Sequence, residues 1–299
     1  MNNQEFRTII KSTRPSFLIL TPICLLLGWS FVFAKQEDFS SLLLVLSFTG
    51  AMLAHISVNT LNEYLDFKSG LDLITKRTDF SGGSGALPEN PNMANSVLFI
   101  GIFSLFMTCI IGLFFIFYYS WQILPLGLAG IIIIVTYTRW LNKRPFLCLL
   151  SPGFGFGILM VLGANFTLTG EYSSPLFVVS LIPFFLINNL LLLNQYPDVE
   201  ADKKVGRYHL PIAFGISHGN VIFGVFILLT MAVIISAVTF QTLPMLSLIT
   251  LLPLPLSLFS LTGAIKFRES IGNHPQYLAA NVVATIAAII LLSISIIFG

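Results

Sequence analysis

Residues 174–206 read SPLFVVSLIPFFLINNLLLLNQYPDVEADKKVG, an uncharged apolar run that ends on Asn194, Asp198 and Asp202 and then on Lys203, Lys204 and Gly206. An α-helix needs about 20 apolar residues to cross the ~30 Å hydrocarbon core of a bilayer. In that setting every backbone group must be satisfied internally, and a helix does this within one segment. The stretch therefore reads as a membrane span whose last turn carries an amide and carboxylates. A second stretch repeats the design: residues 41–65 are apolar, and the chain then reads NEYLDFKSGLD from Asn62 to Asp72.

Working outward from these two runs, nine candidate spans appear, near 16–34, 41–65, 95–118, 121–140, 146–168, 174–196, 217–238, 242–263 and 277–298. The chain has 299 residues, 56% hydrophobic and 9% charged, with mean hydropathy +0.89. Soluble domains carry roughly 25% charged residues, so that class is excluded. The expectation is an all-α polytopic membrane bundle of nine transmembrane helices forming one domain over 1–299. Its longer polar loops fall near 66–94 and 197–216. A net charge of +2 says little about partners in total; the apolar composition makes membrane lipid, not nucleic acid, the expected surrounding.

Charge distribution orients the bundle. With a cytoplasmic N-terminus, fourteen of the fifteen Lys and Arg residues fall on the cytoplasmic side and Lys35 alone on the other, as the positive-inside rule requires. Ten of the thirteen acids, Asp79 among them, lie on that same face, leaving Glu37, Asp38 and Glu171 opposite. Acids contribute little to insertion, so their gathering asks for another cause. The expected location is a bacterial inner membrane, with N-terminus and active site cytoplasmic. The first apolar run follows Arg7, Lys11 and Arg14 and is expected to stay on the chain rather than serve as a cleaved leader. Cys24, Cys109 and Cys148 have no metal-ligand spacing and read as buried thiols.

Both acidic ends contain Asn-x-Tyr-x-Asp, placing Asn62 with Asp66, and Asn194 with Asp198, four residues apart on one helix face. Asp202 adds a further turn if the helix runs through Pro197, while Asp72 lies past Gly70 and would reach in from a loop. One such motif is a weak signal; two copies, each ending a span and each followed by a basic loop, are a strong one. Mg²⁺ favours one or two carboxylates completed by substrate phosphates and water. Two facing rows could hold Mg²⁺ bridging a diphosphate and neutralise it as a leaving group. Lys68, Arg77, Lys143, Arg144, Lys203 and Arg207 are candidate phosphate contacts, although topology alone also accounts for each. A cation-coupled transporter would instead place its acids near the midplane in broken helices.

At these residues the sequence resembles the UbiA superfamily of intramembrane prenyltransferases. The segment RPSFLILTP, Arg14 to Pro22, is similar to the family's opening. The stretch NQYPDVEADKKVGRYHLPIAFG, Asn194 to Gly215, is similar to its second aspartate motif. In the first motif Glu63 stands where an Asp is commonest, and Gly70 where a final Asp is often found, with Asp72 two residues later. That spacing, Asn59 and RTDFSGGSGALPEN resemble the branch that prenylates 1,4-dihydroxy-2-naphthoate on the way to menaquinone. The fifth span opens LLSPGFGFG, without the Glu that branch usually carries there.

The resemblance implies Mg²⁺ held by Asp66, Asp72, Asp198 and Asp202, helped by Asn62 and Asn194. It implies a polyprenyl diphosphate that ionises to an allylic cation inside the bundle, and an aromatic acceptor that attacks it. That acceptor would be 1,4-dihydroxy-2-naphthoate, with 4-hydroxybenzoate or homogentisate as alternatives. Tyr64, Tyr137 and Tyr196 are expected near the cation, where π faces stabilise positive charge. The glycine-rich stretch at Gly82, Gly83 and Gly85 could approach phosphate or close over the site. His55 is expected to be a hydrogen-bonded helix histidine.

Overall fold

Among the described residues, nine apolar helices follow the nine hydrophobic runs: α1 (Pro15–Ala34), α2 (Ser41–Lys68), α3 (Pro91–Tyr118), α4 (Trp121–Thr136), α5 (Pro145–Thr169), α6 (Ser174–Asn194), α7 (Ile216–Thr239), α8 (Met245–Asn273) and α9 (Pro275–Phe298). The computed structural model describes residues 3–36, 38–78 and 80–299; Glu37 and Asp79, counted above among the acids, lie outside the described residues. Eight of the helices are long and apolar enough to cross a membrane, and α4 is a shorter apolar helix. The chain is an integral, multi-pass membrane protein.

Local chemistry sets the helix ends. Proline, whose missing N–H costs nothing in a first turn, stands at the start of α1, α3, α5, α6 and α9. The Ser173 hydroxyl accepts the Leu176 amide at 3.3 Å and caps α6. At the end of α2, Gly70 takes a φ of 80°, a left-handed turn that stops the helix just past Asp66.

α2 runs one turn beyond its apolar stretch, to Lys68, which lifts Asp66 to the polar rim. The end of α6 departs from expectation. Its helix stops at Asn194, a turn covers 195–198, and a short helix restarts at Val199–Lys204. Pro197 cannot donate a backbone hydrogen bond and restricts the residue before it; α6 runs through Pro183 within the span, but at its rim the helix gives way to the turn that holds Pro197. α5 contains a π-helical segment, Gly153–Met160, where Asn188 Oδ1 accepts the Gly153 amide at 2.6 Å. Such wide turns release backbone groups that a neighbouring helix must satisfy.

The main apolar core joins α1, α5, α6, α7, α8 and α9 through Leu27, Val161, Ile187, Ile234, Leu254 and Ile289. A second cluster sits beneath the loop after α6, around Leu193, Tyr196, Phe223 and Ile271. α3 lies at the edge against α2 and exposes Phe99, Ile102, Phe103, Phe106, Ile110, Leu113 and Phe117. That helical stripe has no partner in the fold and suits lipid.

Candidate active site

A cavity of about 810 Å³ opens among α1–α6. Its mouth gathers Arg14 before α1, Asn62 and Asp66 at the end of α2, Tyr137 after α4, Asn194 and Asp198 at the end of α6, and Asp202 and Arg207 beyond. The C-terminal ends of α2, α4 and α6 converge there. Helix C-termini carry partial negative charge, so the mouth favours cations before any side chain is counted. From this rim the cavity descends between apolar walls to Leu25, Ser47, Phe115, Ile123 and Thr167. Ser47 and Asp66 share α2, and at 1.5 Å per residue they lie about 28 Å apart, close to the thickness of a hydrocarbon core.

The two carboxylate rows meet across this mouth. Arg207 donates one guanidinium nitrogen to Asp66 and the other to Asp202 Oδ1, the latter at 2.9 Å. The other oxygen of Asp202 lies 2.8 Å from His209 Nε2. Gly82 donates its amide to Asp198 Oδ2 at 3.0 Å. Gly83 has φ 75° and packs on Asp72 so tightly that a Cβ there would fall 2.6 Å from Asp72 Oδ1. Asn62 Nδ2 donates to Thr138 Oγ1 at 3.0 Å.

Burial leaves these acids under electrostatic strain. Asp72 is pushed up to about 7, first by burial and then by the charges of Glu63 and Asp66. Asp198 is likewise raised to about 7 by burial and by Asp202, against the Gly82 amide that favours its charge. Arg207 is largely withdrawn from solvent, which works against its charge, but Asp66 and Asp202 hold it firmly protonated. Arg14 and Arg207 offset part of this negative charge but leave both acids raised.

Among the described residues, several buried polar atoms at the mouth have no hydrogen-bond partner: Asp72 Oδ2, Asp198 Oδ1 and Asn194 Nδ2. Unpaired buried carboxylate oxygens are costly, and they mark where a further cation or a polar ligand fits. Among the described residues no three His, Cys, Asp or Glu side chains converge tightly enough to enclose a metal alone. That sparse donor set fits Mg²⁺, which takes one or two carboxylates and completes its shell with phosphate and water.

The family model for the UbiA prenyltransferase family matches residues 21–296. The chain belongs to that family. It is 30% identical over 207 residues to a 1,4-dihydroxy-2-naphthoate octaprenyltransferase of Bacillus subtilis, a match covering 68% of this chain and 64% of that protein. A second relative, the UbiA prenyltransferase domain-containing protein 1 of Dictyostelium discoideum, is 26% identical and is matched over 64% of its own length. The match therefore spans about 64% of each of these two relatives. A 1,4-dihydroxy-2-naphthoate octaprenyltransferase of Haemophilus influenzae is 24% identical, over 74% of this chain and 73% of that one. The structure of a UbiA homolog from Archaeoglobus fulgidus bound to DMAPP and Mg²⁺ superposes with a TM-score of 0.67 at 15% identity, over 97% of this chain and 99% of that one. At that identity the likeness is one of fold.

In this UbiA-family chain the cavity brings together eight of the residues singled out from sequence: Asn62, Asp66, Asp72, Tyr137, Asn194, Asp198, Asp202 and Arg207. Six others lie elsewhere. Lys68, Lys143, Arg144 and Lys203 are exposed; Lys68 lies over the Tyr64 ring and Arg144 over Trp140. Arg77 turns to Glu89, 3.3 Å away. Tyr196 is fully buried in the second apolar cluster, where its hydroxyl donates to Asn220 at 3.0 Å, so it does not face the cavity. The turn that Pro197 imposes rotates it away from the row of Asn194 and Asp198. Tyr64 packs beside a small cluster around Leu87, leaving Tyr137 alone of the three tyrosines on the cavity wall.

Arg14 and His209 are site residues to which the sequence assigned no role there, while the Gly82 amide belongs to the glycine-rich stretch expected to approach the site. Arg14 and Gly82 make contacts 49 and 116 positions away, which spacing cannot reveal, whereas His209 turns back on Asp202 seven residues before it. His55 fits its expectation: it is buried, 2.8 Å from Thr21 Oγ1, with its ring 4.6 Å from that of Phe156.

Proposed function

We propose that this chain transfers a polyprenyl group from an allylic prenyl diphosphate to an aromatic acceptor inside the membrane. The observation that carries the reading is the pairing of two carboxylate rows, with oxygens left unpaired, and an apolar cavity as deep as the bilayer is thick. A diphosphate headgroup suits the first and a long isoprenoid tail suits the second. Asp66, Asp72, Asp198 and Asp202 would hold Mg²⁺, with Asn62 and Asn194 assisting as ligands or hydrogen-bonding partners. Bound there, Mg²⁺ would neutralise the diphosphate and ease its departure.

The chain's own residues supply the rest. Arg207, already between the rows, is positioned to contact phosphate oxygens, which guanidinium recognises bidentately. Apolar walls below the mouth exclude water from an allylic cation, and the Tyr137 ring offers it a π face. A loop carboxylate or the leaving diphosphate would take the proton from the acceptor ring. The naphthoate prenyltransferases among the relatives support 1,4-dihydroxy-2-naphthoate as acceptor, hence a role in menaquinone formation. 4-Hydroxybenzoate and homogentisate remain the alternatives, because LLSPGFGFG lacks the expected Glu. On this reading one prenyltransferase domain sits in a bacterial inner membrane, with N-terminus and site facing the cytoplasm.

The test is Mg²⁺-dependent release of diphosphate from a polyprenyl diphosphate by the full chain in lipid nanodiscs, across the three acceptors. Asp66→Asn and Asp198→Asn should each lower turnover at least about a hundredfold while leaving membrane insertion intact. Absence of release with every acceptor, or full activity in the double variant, would end the proposal.

A further inference from the structure

Glu63 stands beside Asn62 in the first motif, yet it takes no part in lining the cavity. One residue along a helix is a rotation of about 100°, so Glu63 stands at the edge of the face that carries Asn62 and Asp66, and its side chain turns to Ser84 and Arg14. It is fully buried all the same. A buried carboxylate is strongly destabilising unless it is paired and hydrogen-bonded. Glu63 is both. Its Oε1 accepts the Ser84 hydroxyl at 2.5 Å, and its Oε2 accepts the Ser84 amide at 3.2 Å and an Arg14 guanidinium nitrogen at 3.3 Å.

What Glu63 holds is the segment that covers the two rows. Three consecutive residues carry it: Gly82 donates to Asp198 of the second row, Gly83 packs on Asp72 of the first, and Ser84 is fastened to Glu63 on α2. Gly82 and Gly83 both have positive φ, so this path belongs to one particular backbone course rather than a loose coil. Arg14 completes the anchor from the other side. Its own backbone is left-handed, with φ 53°, at the break between the helix Asn3–Ser12 and α1. Asn59, one turn before Glu63 on α2, steadies that break by donating to the Thr13 carbonyl at 2.8 Å. An aspartate at position 63 would fall about 1.5 Å short of Ser84, the length of one C–C bond.

We infer that Glu63 is a positioning residue that fixes the glycine-rich segment across both aspartate rows, rather than a further ligand of the first row. The inference deepens the proposed function, since it rests on reading those rows as a diphosphate site. It gives the departure from Asp in this motif a purpose: the longer side chain reaches Ser84 on one side and Arg14 on the other. The Arg14 that opens RPSFLILTP is thereby tied to the same device.

Hydrogen exchange at the amides of Gly82, Gly83 and Ser84 tests it, in the full chain in nanodiscs without metal or substrate. Glu63→Gln and Glu63→Asp should each speed exchange there roughly ten- to hundredfold, the scale of a lost charge-assisted hydrogen bond. Ser84→Ala removes the hydroxyl bond without touching α2 and keeps the amide bond, so it should speed exchange at Gly82 and Gly83 by a smaller factor, about severalfold, and it covers the case in which position 63 variants fail to fold. With substrate, the same variants should raise KM for the prenyl diphosphate more than they lower kcat. Unchanged exchange in Ser84→Ala overturns the inference, as does weaker Mg²⁺ binding in Glu63→Gln with the segment still protected. The exchange readout needs no activity, so a wild type inactive with every acceptor would refute the proposed function and leave this result standing.

Discussion

Arg207 donates to Asp66 across the mouth of the cavity, joining residues 141 positions apart in the chain. The same guanidinium reaches Asp202, so one cation holds the first carboxylate row against the second. Both acids are buried, and Arg207 is about one-fifth exposed. A pair so placed gains little over an apolar contact but is costly to break on one side.

Removing that cation should therefore be felt before any chemistry. Arg207→Met should destabilise the metal-free protein by about 3 kcal/mol, because two buried carboxylates lose their shared partner. Arg207→Lys should fall between, keeping the charge but not the fork that reaches both acids. Thermal unfolding in nanodiscs measures this. Mg²⁺ with inorganic pyrophosphate should restore part of the lost stability in Arg207→Met. Identical melting temperatures for wild type and Arg207→Met would show that the bridge contributes nothing.

The raised acids predict a pH dependence with a definite sign. Asp72 and Asp198 both lie near 7 in the folded protein, against ordinary values close to 4. The folded state thus binds more protons than the unfolded one between these limits. Metal-free stability should be greatest below about pH 4 as far as these two groups decide it, and should decline as pH rises to about 7. Mg²⁺ binding needs the charged forms, so its affinity should move the opposite way, strengthening up to about tenfold per unit and per carboxylate as pH approaches 7 from below. Calorimetric titrations at pH 6 and pH 8 in buffers of different ionisation enthalpy would detect the released protons. Asp198→Asn should remove part of the slope; a binding constant flat from pH 6 to 8 would contradict the assignment.

The floor of the cavity should set the longest prenyl chain accepted. Ser47 and Thr167 meet there, with the Thr167 hydroxyl donating to Ser47 at 2.8 Å. Ser47→Phe would fill the floor without touching the mouth. Its kcat/KM should fall at least about tenfold for the longest prenyl diphosphates and stay near wild type for short ones. A uniform loss at all lengths would instead point to general damage to the fold.

Much of this was legible in the residues themselves. Nine apolar runs gave nine helices because a bilayer demands continuous internal hydrogen bonding, a local property. The Asn62–Asp66 face was readable for the same reason: four residues along one uninterrupted helix are neighbours by geometry alone. The reading weakened where the helix broke. Past Pro197 spacing no longer predicts direction, and Tyr196 turned into the core while Asp202 came back to the mouth on a restarted helix. The basic residues divided similarly. Lys68, Lys143, Arg144 and Lys203 stay at the surface, as membrane topology alone requires, and of the six candidate phosphate contacts Arg207 is the one drawn in, because two buried acids face it.

Sequence by itself determined the membrane class, the number of helices and the two acidic ends, since each follows from hydropathy and short-range periodicity. Tertiary structure alone decided that Arg207 joins the rows, that Glu63 leaves the ligand face to hold Ser84, and that the cavity runs as far as Ser47. These rest on contacts between residues tens to more than a hundred positions apart. Such contacts exist only once helix packing has excluded the alternatives, and no local pattern encodes them.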